Sequence, residues 1–390
     1  MKIALVTYHA DPARGGAERY TADLARALTE LEHDVSILHA ISTPHDVPSV
    51  SYLRLQDGGL TRTVKYRNFL RAVDRRLDEE HFDIVHAMLP VHRCNIYQPH
   101  AGFAFDALTS GERRRTALAR AAAQLGNRFN AKRQIYAAVE RKMLEASAPP
   151  AVICLSDAMR SQAEARFGLD PANLVVIPNA TDLDRYDPAV DPSAGPQLRK
   201  KLDIAPARKV GLFLSQDFAR KGLSESLEAM GRLGDPSFVL LVAGRDDPSP
   251  FQRLAAKLGL TGNVIFAGAA ADPYPFYAAA DVVLFPSRAD PFGLVPAEAV
   301  AMGVPPIVSR CAGVSEVLTN NQNALIVEQP SDIGTLADAL RRALEPVTHE
   351  RLARGCRDTR EIFAYRKHLD AIVGLYDSRR RSSEAYRTGP

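Results

Sequence analysis

Arg220, Lys221 and Gly222 stand where the apolar run Leu212 to Leu214 gives way to the amphipathic stretch beginning at Leu223. Two cations and a glycine at the start of a helix have a definite chemistry. A helix N-terminus presents unpaired N–H groups and a partial positive charge. Adding Arg and Lys there suits a strongly anionic ligand such as a phosphate. For these residues alone, a solvated basic turn is the plainer alternative. Farther along, Asp290 and Glu298 frame "PFGLVPA", with Gly293 able to turn backbone amides toward a ligand. A loop carboxylate and a helix carboxylate aimed at one ligand suit a sugar, because carboxylates only accept hydrogen bonds and sugars are rich in O–H donors. Taken singly, Asp290 reads as a helix cap and Glu298 as a solvated side chain. Their place beside a phosphate-type loop in the same half of the chain favours the joint reading.

Three more loops belong with these. Gly15–Gly16 follows the apolar run "KIALVTY", where a plain tight turn is the alternative to a ligand-facing backbone. Arg245 lies in "AGRDDPSP", and Gly268 ends the run "NVIFAG", where exposed backbone suits a flat base. All of them follow short apolar runs that alternate with longer amphipathic stretches, the pattern of parallel strands joined by helices. In the first half the strands are "KIALVTY", "DVSILHA" (34–40), "DIVHAML" (83–89), "AVICLS" (151–156) and "NLVVIPNA" (173–180). Helices are expected from Ala17 to Leu31, over "TVKYRNFLRAVDRRLDEEH", over roughly 111–146, and over "AMRSQAEARFG" ending at Gly168. The proline-rich segment 187–209 reads as a linker. "VGLFLS", "FVLLVAG", "NVIFAG", "DVVLFPS", "PPIVS" and "ALIVEQ" form a second series, and the tail from about Thr348 to Arg381 is helical and basic. The expected architecture is α/β: two doubly wound parallel sheets facing across a cleft, with ligands at the carboxyl ends of the strands. The first domain spans 1–186, with a C-terminal helix at about 366–390 packing back on it. The linker is 187–209 and the second domain 210–365.

A chain of 390 residues exceeds what one core usually serves. Its formal charge of +3 is too small to argue for nucleic acid, and no docking motif for one occurs. The charge is unevenly spread. Residues 110–142 hold nine Lys/Arg against Glu112 and Glu140, a local excess of +7. That segment fits an anionic lipid surface or a phosphorylated acceptor, and equally a solvated helical face. Cys94, Cys154, Cys311 and Cys356 form no CxxC pair, which argues against zinc and a disulfide framework and suits a reducing cytosol. The apolar run Ile3 to Val6 is too short for a signal peptide or a membrane span, so any membrane contact is expected from the surface. Asp182 and Asp184 in "DLD" resemble a metal pair but read as a junction turn.

"SRADPFGLVPAEAVAMGVPPIVS", with "AGVSEVL" after it, resembles the retaining glycosyltransferases of family 4, which have the GT-B fold. The resemblance runs the full length, through "GGAERY", "VIPNATDLDRY", "ARKG" and "FAGAA…YAAADVVLFPS". Within the family, "SQDFARKG" and the "YQPHAGFAFD" region are most similar to members that build the lipopolysaccharide core by adding glucose to a heptose. The resemblance implies that Arg220 and Lys221 hold the diphosphate of a nucleotide sugar. It implies that Glu298 binds the ribose, and that Asp290 meets hydroxyls of the transferred sugar. His100 falls where the family places a residue beside that sugar, and lining the cleft wall is its plainer role; His86 and His9 rank below it. Gly15, Gly16, Ser215, Arg245, Gly268, Phe292, Gly293 and Leu294 complete the implied donor site. The family usually has Glu at the place of Asp290, and the shorter carboxylate bears on sugar preference; it often has Gly at the place of Ala324.

The same resemblance implies a retaining hexosyl transfer with no metal and no other cofactor, from a donor such as UDP-glucose to a glycan or lipid-linked acceptor such as a lipopolysaccharide core. The expected location is cytoplasmic, peripheral on the inner face of the cytoplasmic membrane. A nucleotide-sugar epimerase or hydrolase of the same fold, and a nucleotide-sugar-binding protein without turnover, are the alternatives.

Overall fold

The computed structural model describes residues 1–12, 14–41, 47, 49–105 and 131–387. They form two compact units: Met1–Ile177 with Leu369–Pro390, and Pro178–His368.

In the first unit the chain runs β1 (Lys2–Val6), α1 (Gly16–Glu30), β2 (Asp34–His39), β3 (Ser51–Arg54), α2 (Arg62–Glu79), β4 (Ile84–Ala87), β5 (Ile96–Tyr97), α3 (Ala131–Leu144), β6 (Ala151–Cys154), α4 (Asp157–Phe167) and β7 (Leu174–Val176). The seven strands form one parallel sheet in the order β3-β2-β1-β4-β5-β6-β7. Helices cover both faces of such a sheet, so its central strands are buried on both sides and mostly apolar rather than alternating. All four residues of β4 and of β6 are buried. Helix ends follow local chemistry. Thr61 caps α2 by accepting from Val64 N at 3.2 Å, and Ser156 caps α4 through Met159 N at 3.3 Å. Gly168 ends α4 in the left-handed region, φ 60°.

The second unit contains α5 (Ala194–Lys201), β8 (Lys209–Leu214), α6 (Leu223–Leu233), β9 (Phe238–Ala243), α7 (Ser249–Lys257), β10 (Val264–Gly268), α8 (Tyr274–Ala279), β11 (Val282–Phe285), α9 (Leu294–Ala301), β12 (Pro306–Ser309), β13 (Leu325–Val327), α10 (Ile333–Leu344) and α11 (Pro346–Thr359). Its parallel sheet has the order β10-β9-β8-β11-β12-β13. The final helix, α12 (Tyr365–Arg387), begins in the second unit and from Leu369 belongs to the first. There Ile372 and Tyr376 are fully buried, and the Tyr376 hydroxyl lies 2.7 Å from His86 Nδ1.

Two expectations need correction, and a third is borne out only over the described residues. Residues 187–209 are not a free linker, because they pack into the second unit. A Cβ on Gly195 would strike the Ala278 carbonyl, and Arg199 Nη2 reaches Asp281 Oδ2 at 2.8 Å. β3 and β5 were not anticipated as strands, since β5 is two residues long and β3 carries exposed ends. Of the helix expected over 111–146, the part from Ala131 to Leu144 is helical and 106–130 lies outside the described residues. The "DLD" turn is local: Asp182 Oδ1 accepts from Asp184 N at 3.1 Å and from Arg185 N at 3.0 Å.

Candidate functional site

Strand order reverses between β8 and β11 in the second unit, and between β1 and β4 in the first. Loops leaving the carboxyl ends of such neighbours diverge to opposite faces and leave a crevice, the usual ligand position in open α/β sheets. The loop after β8 carries Arg220 and Lys221; the loop after β11 carries Asp290. Lys221 Nζ contacts Asp290 Oδ2, and Arg220 Nη1 lies 3.8 Å from the same oxygen. Lys221 also sits 4.7 Å above the Phe285 ring. Arg220 is half exposed, donating from Nε to Asp217 Oδ2 (3.1 Å) and from Nη1 to the Ala289 carbonyl (2.9 Å). Burial and the neighbouring Arg220 guanidinium push the Lys221 ammonium well below the ordinary lysine range, and Asp217 opposes them. Two cations therefore converge on one carboxylate, and an arriving anion would relieve their mutual repulsion.

The close approach of these loops depends on Gly222, which has φ 85°. A Cβ there would collide with the Pro286 carbonyl. Asp290 is fixed from the backbone as well. Its Oδ1 accepts from Phe292 N at 3.0 Å, its N–H donates to Cys311 O at 3.1 Å, and its carbonyl accepts from Gly313 N at 3.0 Å. Gly293, at φ 104°, precedes α9 without a side-chain cap, so the first amides of that helix, from Leu294 on, have no capping side chain. Glu298, in the second turn, is 8% exposed, and its Oε2 accepts from the Tyr277 hydroxyl at 2.5 Å. Phe292 does not offer its ring to the crevice. It is buried against Phe363, its amide serves Asp290, and its carbonyl accepts from Val314 N.

The remaining donor-site expectations in this unit lie along the same edge. Ser215 Oγ accepts from Asp217 N at 2.9 Å and so shapes the turn before Arg220. Arg245 N donates to Gln216 Oε1 at 3.1 Å, and Asp246 Oδ2 accepts from Phe218 N at 2.8 Å, which ties the loop after β9 to that turn. Gly268 is exposed at φ 74°, and its carbonyl accepts from Gly244 N at 2.8 Å.

In the first unit, Gly15 precedes α1 in an extended conformation, φ −179°, not in the left-handed region, and a Cβ there would come 3.2 Å from Glu18 Oε2. Gly16 is the first residue of the helix. His100 follows β5, half-buried, its ring centroid 4.1 Å from that of Tyr20 on α1. His86 is wholly buried on β4, and His9 follows β1 with its ring edge-on to Tyr8.

Two supporting residues escaped sequence reasoning. Tyr277 lies 21 positions from Glu298, and only its burial reveals that its hydroxyl needs a partner. Glu140, on α3, is fully buried. It accepts from Tyr97 OH at 2.6 Å and Ala104 N at 2.8 Å through Oε1, and from Phe105 N at 3.0 Å through Oε2. It thereby pins both ends of the segment that carries His100.

This geometry matches a known architecture. The family model "Glycosyltransferase Family 4" matches residues 14–185, and "Glycosyl transferases group 1" matches residues 196–355. The chain belongs to the glycosyltransferases that join these two parts. It is 27% identical over 258 residues to the lipopolysaccharide glucosyltransferase WaaG of Escherichia coli K12, covering 64% of this chain and 69% of the relative. Several other curated relatives are matched over about half of their own length. Among solved structures, WaaG, described as a glycosyltransferase involved in lipopolysaccharide biosynthesis, superimposes with a TM-score of 0.79 at 22% identity over 100% of both chains. HepE of Anabaena, solved with UDP and glucose, gives a TM-score of 0.73 at 20% identity over 97% of this chain and 100% of that one. The fold is GT-B, with two Rossmann-like parallel-sheet domains.

Proposed function

We propose that this glycosyltransferase moves a hexose from a nucleotide sugar, UDP-glucose or a related UDP-sugar, to a glycan or lipid-linked acceptor such as a lipopolysaccharide core, with retention at the anomeric carbon. One observation carries the reading: Arg220 and Lys221 converge on Asp290 at the point where the strand order of the second unit reverses. In the proposal, the donor diphosphate takes the place beside the two cations, facing the amides of Gly293 and Leu294. Glu298, oriented by Tyr277, accepts from the ribose hydroxyls. Asp290, released from Lys221, accepts from hydroxyls of the transferred sugar. The relative named as a lipopolysaccharide glucosyltransferase, and the HepE complex with UDP and glucose, support the choice of donor and acceptor class.

The chemistry then follows from charge. The bond between the anomeric carbon and the diphosphate oxygen breaks toward an oxocarbenium-like state, and an acceptor hydroxyl attacks the same face. The departing diphosphate oxygen takes the hydroxyl proton. Catalysis is mostly positioning together with stabilisation of the leaving charge. Arg220 and Lys221 supply that positive charge as fixed side chains, so the proposal needs no divalent metal and no cofactor. His100, as the family resemblance implies, orients a sugar hydroxyl or stabilises positive charge at the anomeric carbon. No helix among the described residues is long and apolar enough to cross a membrane. We place the enzyme on the inner face of the cytoplasmic membrane, held by the basic segment 110–142, most of which lies outside the described residues. No nucleic-acid partner is involved.

A thermal-shift screen across UDP-, GDP- and ADP-sugars is expected to single out a UDP-sugar. Nucleoside diphosphate should then be released only when acceptor is added, with or without a chelator, and the new linkage should keep the donor's anomeric configuration. Release from donor alone would instead mean a hydrolase, and binding without release a non-catalytic protein.

A further inference from the structure

We propose that Arg288 and Glu225 are positioning residues, a clamp that holds the Arg220–Lys221 turn against the Asp290 loop and so sets the anion affinity of the site; the proposal rests on the diphosphate reading above. Arg288 lies in the loop after β11, two residues before Asp290. Its Nε and Nη2 both donate to Glu225 Oε1, at 2.9 and 2.5 Å. Glu225 is 1% exposed and sits in the first turn of α6, the helix that begins straight after Lys221 and Gly222. A carboxylate in that turn is favoured by the helix N-terminus itself.

The pair closes a set of links between the same two loops. Arg288 N donates to the Arg220 carbonyl at 2.9 Å, and Arg220 Nη1 donates to the Ala289 carbonyl at 2.9 Å. Ser287 Oγ also reaches the Arg220 carbonyl, at 3.4 Å, and the Ser287 carbonyl accepts from Ser309 Oγ, which ties the segment after β11 to β12. The segment after β11 is thus laced to the segment after β8 on one side by Arg288–Glu225 and on the other by Lys221–Asp290. Adjacent like charges at 220 and 221 would otherwise open the turn to gain hydration. A buried carboxylate paired through two hydrogen bonds resists this, because breaking the pair leaves a charge buried without compensation. Arg suits the post better than Lys, since one planar guanidinium can donate twice to one oxygen while its backbone holds the other loop. The benefit to binding is preorganisation: the diphosphate meets cations already gathered.

The test is calorimetric titration of UDP, GDP and inorganic diphosphate into the wild type, Arg288→Lys, Glu225→Gln, the double variant and Lys221→Ala, with melting temperatures alongside. Each clamp variant is expected to bind nucleoside diphosphate about tenfold more weakly, the loss of one charge-assisted hydrogen bond. The double variant should be no worse than the weaker single. Arg288→Lys, the conservative change, carries the test if Glu225→Gln does not fold. Lower melting temperatures with wild-type affinity, measured well below melting, would reduce the pair to a structural contact and overturn the proposal. If the wild type bound none of the three probes, or Lys221→Ala bound them as well as the wild type, the diphosphate reading itself would fall and take the clamp with it. If Lys221→Ala weakened binding and the clamp variants did not, only the clamp would fall.

Discussion

At the switch point of the second unit the loops are held by charge, Lys221 on Asp290 and Arg288 on Glu225. In the first unit the segment after β5 is held by a single buried carboxylate, Glu140, which accepts from two amides and a tyrosine hydroxyl. The difference separates two ways of placing a reactive group. In the proposed function, the groups that hold the loops around Lys221 are also the groups offered to the ligand, and the resting site is a set of charges satisfying one another until an anion arrives. Around His100 the holding group is fully buried and bonds the amides of Ala104 and Phe105, so it fixes backbone rather than chemistry. Damage in the second unit should therefore appear first in turnover, and damage in the first unit first in stability.

The sharpest way to break this contrast is Lys221→Ala. Turnover is expected to fall at least a hundredfold, about 3 kcal/mol of transition-state stabilisation, because a fixed cation beside the leaving diphosphate is lost. The melting temperature should change little. Removing Lys221 also removes a charge that burial disfavours, and Arg220 Nη1, 3.8 Å from Asp290 Oδ2, remains to compensate the carboxylate that Lys221 leaves behind. Initial rates at saturating donor, set beside a melting curve, check both halves. Near-normal turnover would remove the second unit's half of the comparison.

Glu140→Gln addresses the other half. An amide keeps one acceptor but turns N–H groups toward the amide of Ala104 or Phe105, leaving buried donors facing donors. The expected loss is about 2–3 kcal/mol in unfolding free energy by urea titration, with a smaller proportional effect on turnover than Lys221→Ala. This residue also shows where sequence reasoning stops. The Arg220–Lys221–Gly222 turn, and Asp290 and Glu298 on their loop and helix, were legible because each is a contiguous motif whose neighbours are set by one strand end and one helix start. Glu140 lies 35 to 43 residues from its partners, so no local pattern points to it. The same limit hid Tyr277 behind Glu298. It also made 187–209 read as a linker: its prolines and charges are plain in the sequence, while the fit of Gly195 under Ala278 and of Arg199 on Asp281 exists only after folding. β5 failed for a different reason, since two residues cannot display a period. Both sheets were otherwise readable, because strands covered on both faces must be mostly apolar.

The smallest effect concerns a titratable group of the second unit that lies away from the charged loops. His368 is 4% exposed, its Nδ1 is 2.8 Å from the Pro178 carbonyl, and burial lowers its pKa to about 4. Facing a carbonyl, Nδ1 must carry the proton, so the ring is neutral and donates. An unfolded histidine titrates near 6.5. Between about 4 and 6.5 the unfolded chain therefore binds more protons than the folded one, and stability rises with pH through that window and is flat above it. Acidifying from pH 6.5 to 5 should cost about 2 kcal/mol through this residue. His368→Gln keeps a donor for Pro178 but cannot titrate, so its unfolding free energy should decline less steeply over that range. If the two proteins lost stability in parallel, the acid sensitivity would have to come from elsewhere, and buried polar groups in the second unit would be less costly to protonate than its charged loops suggest.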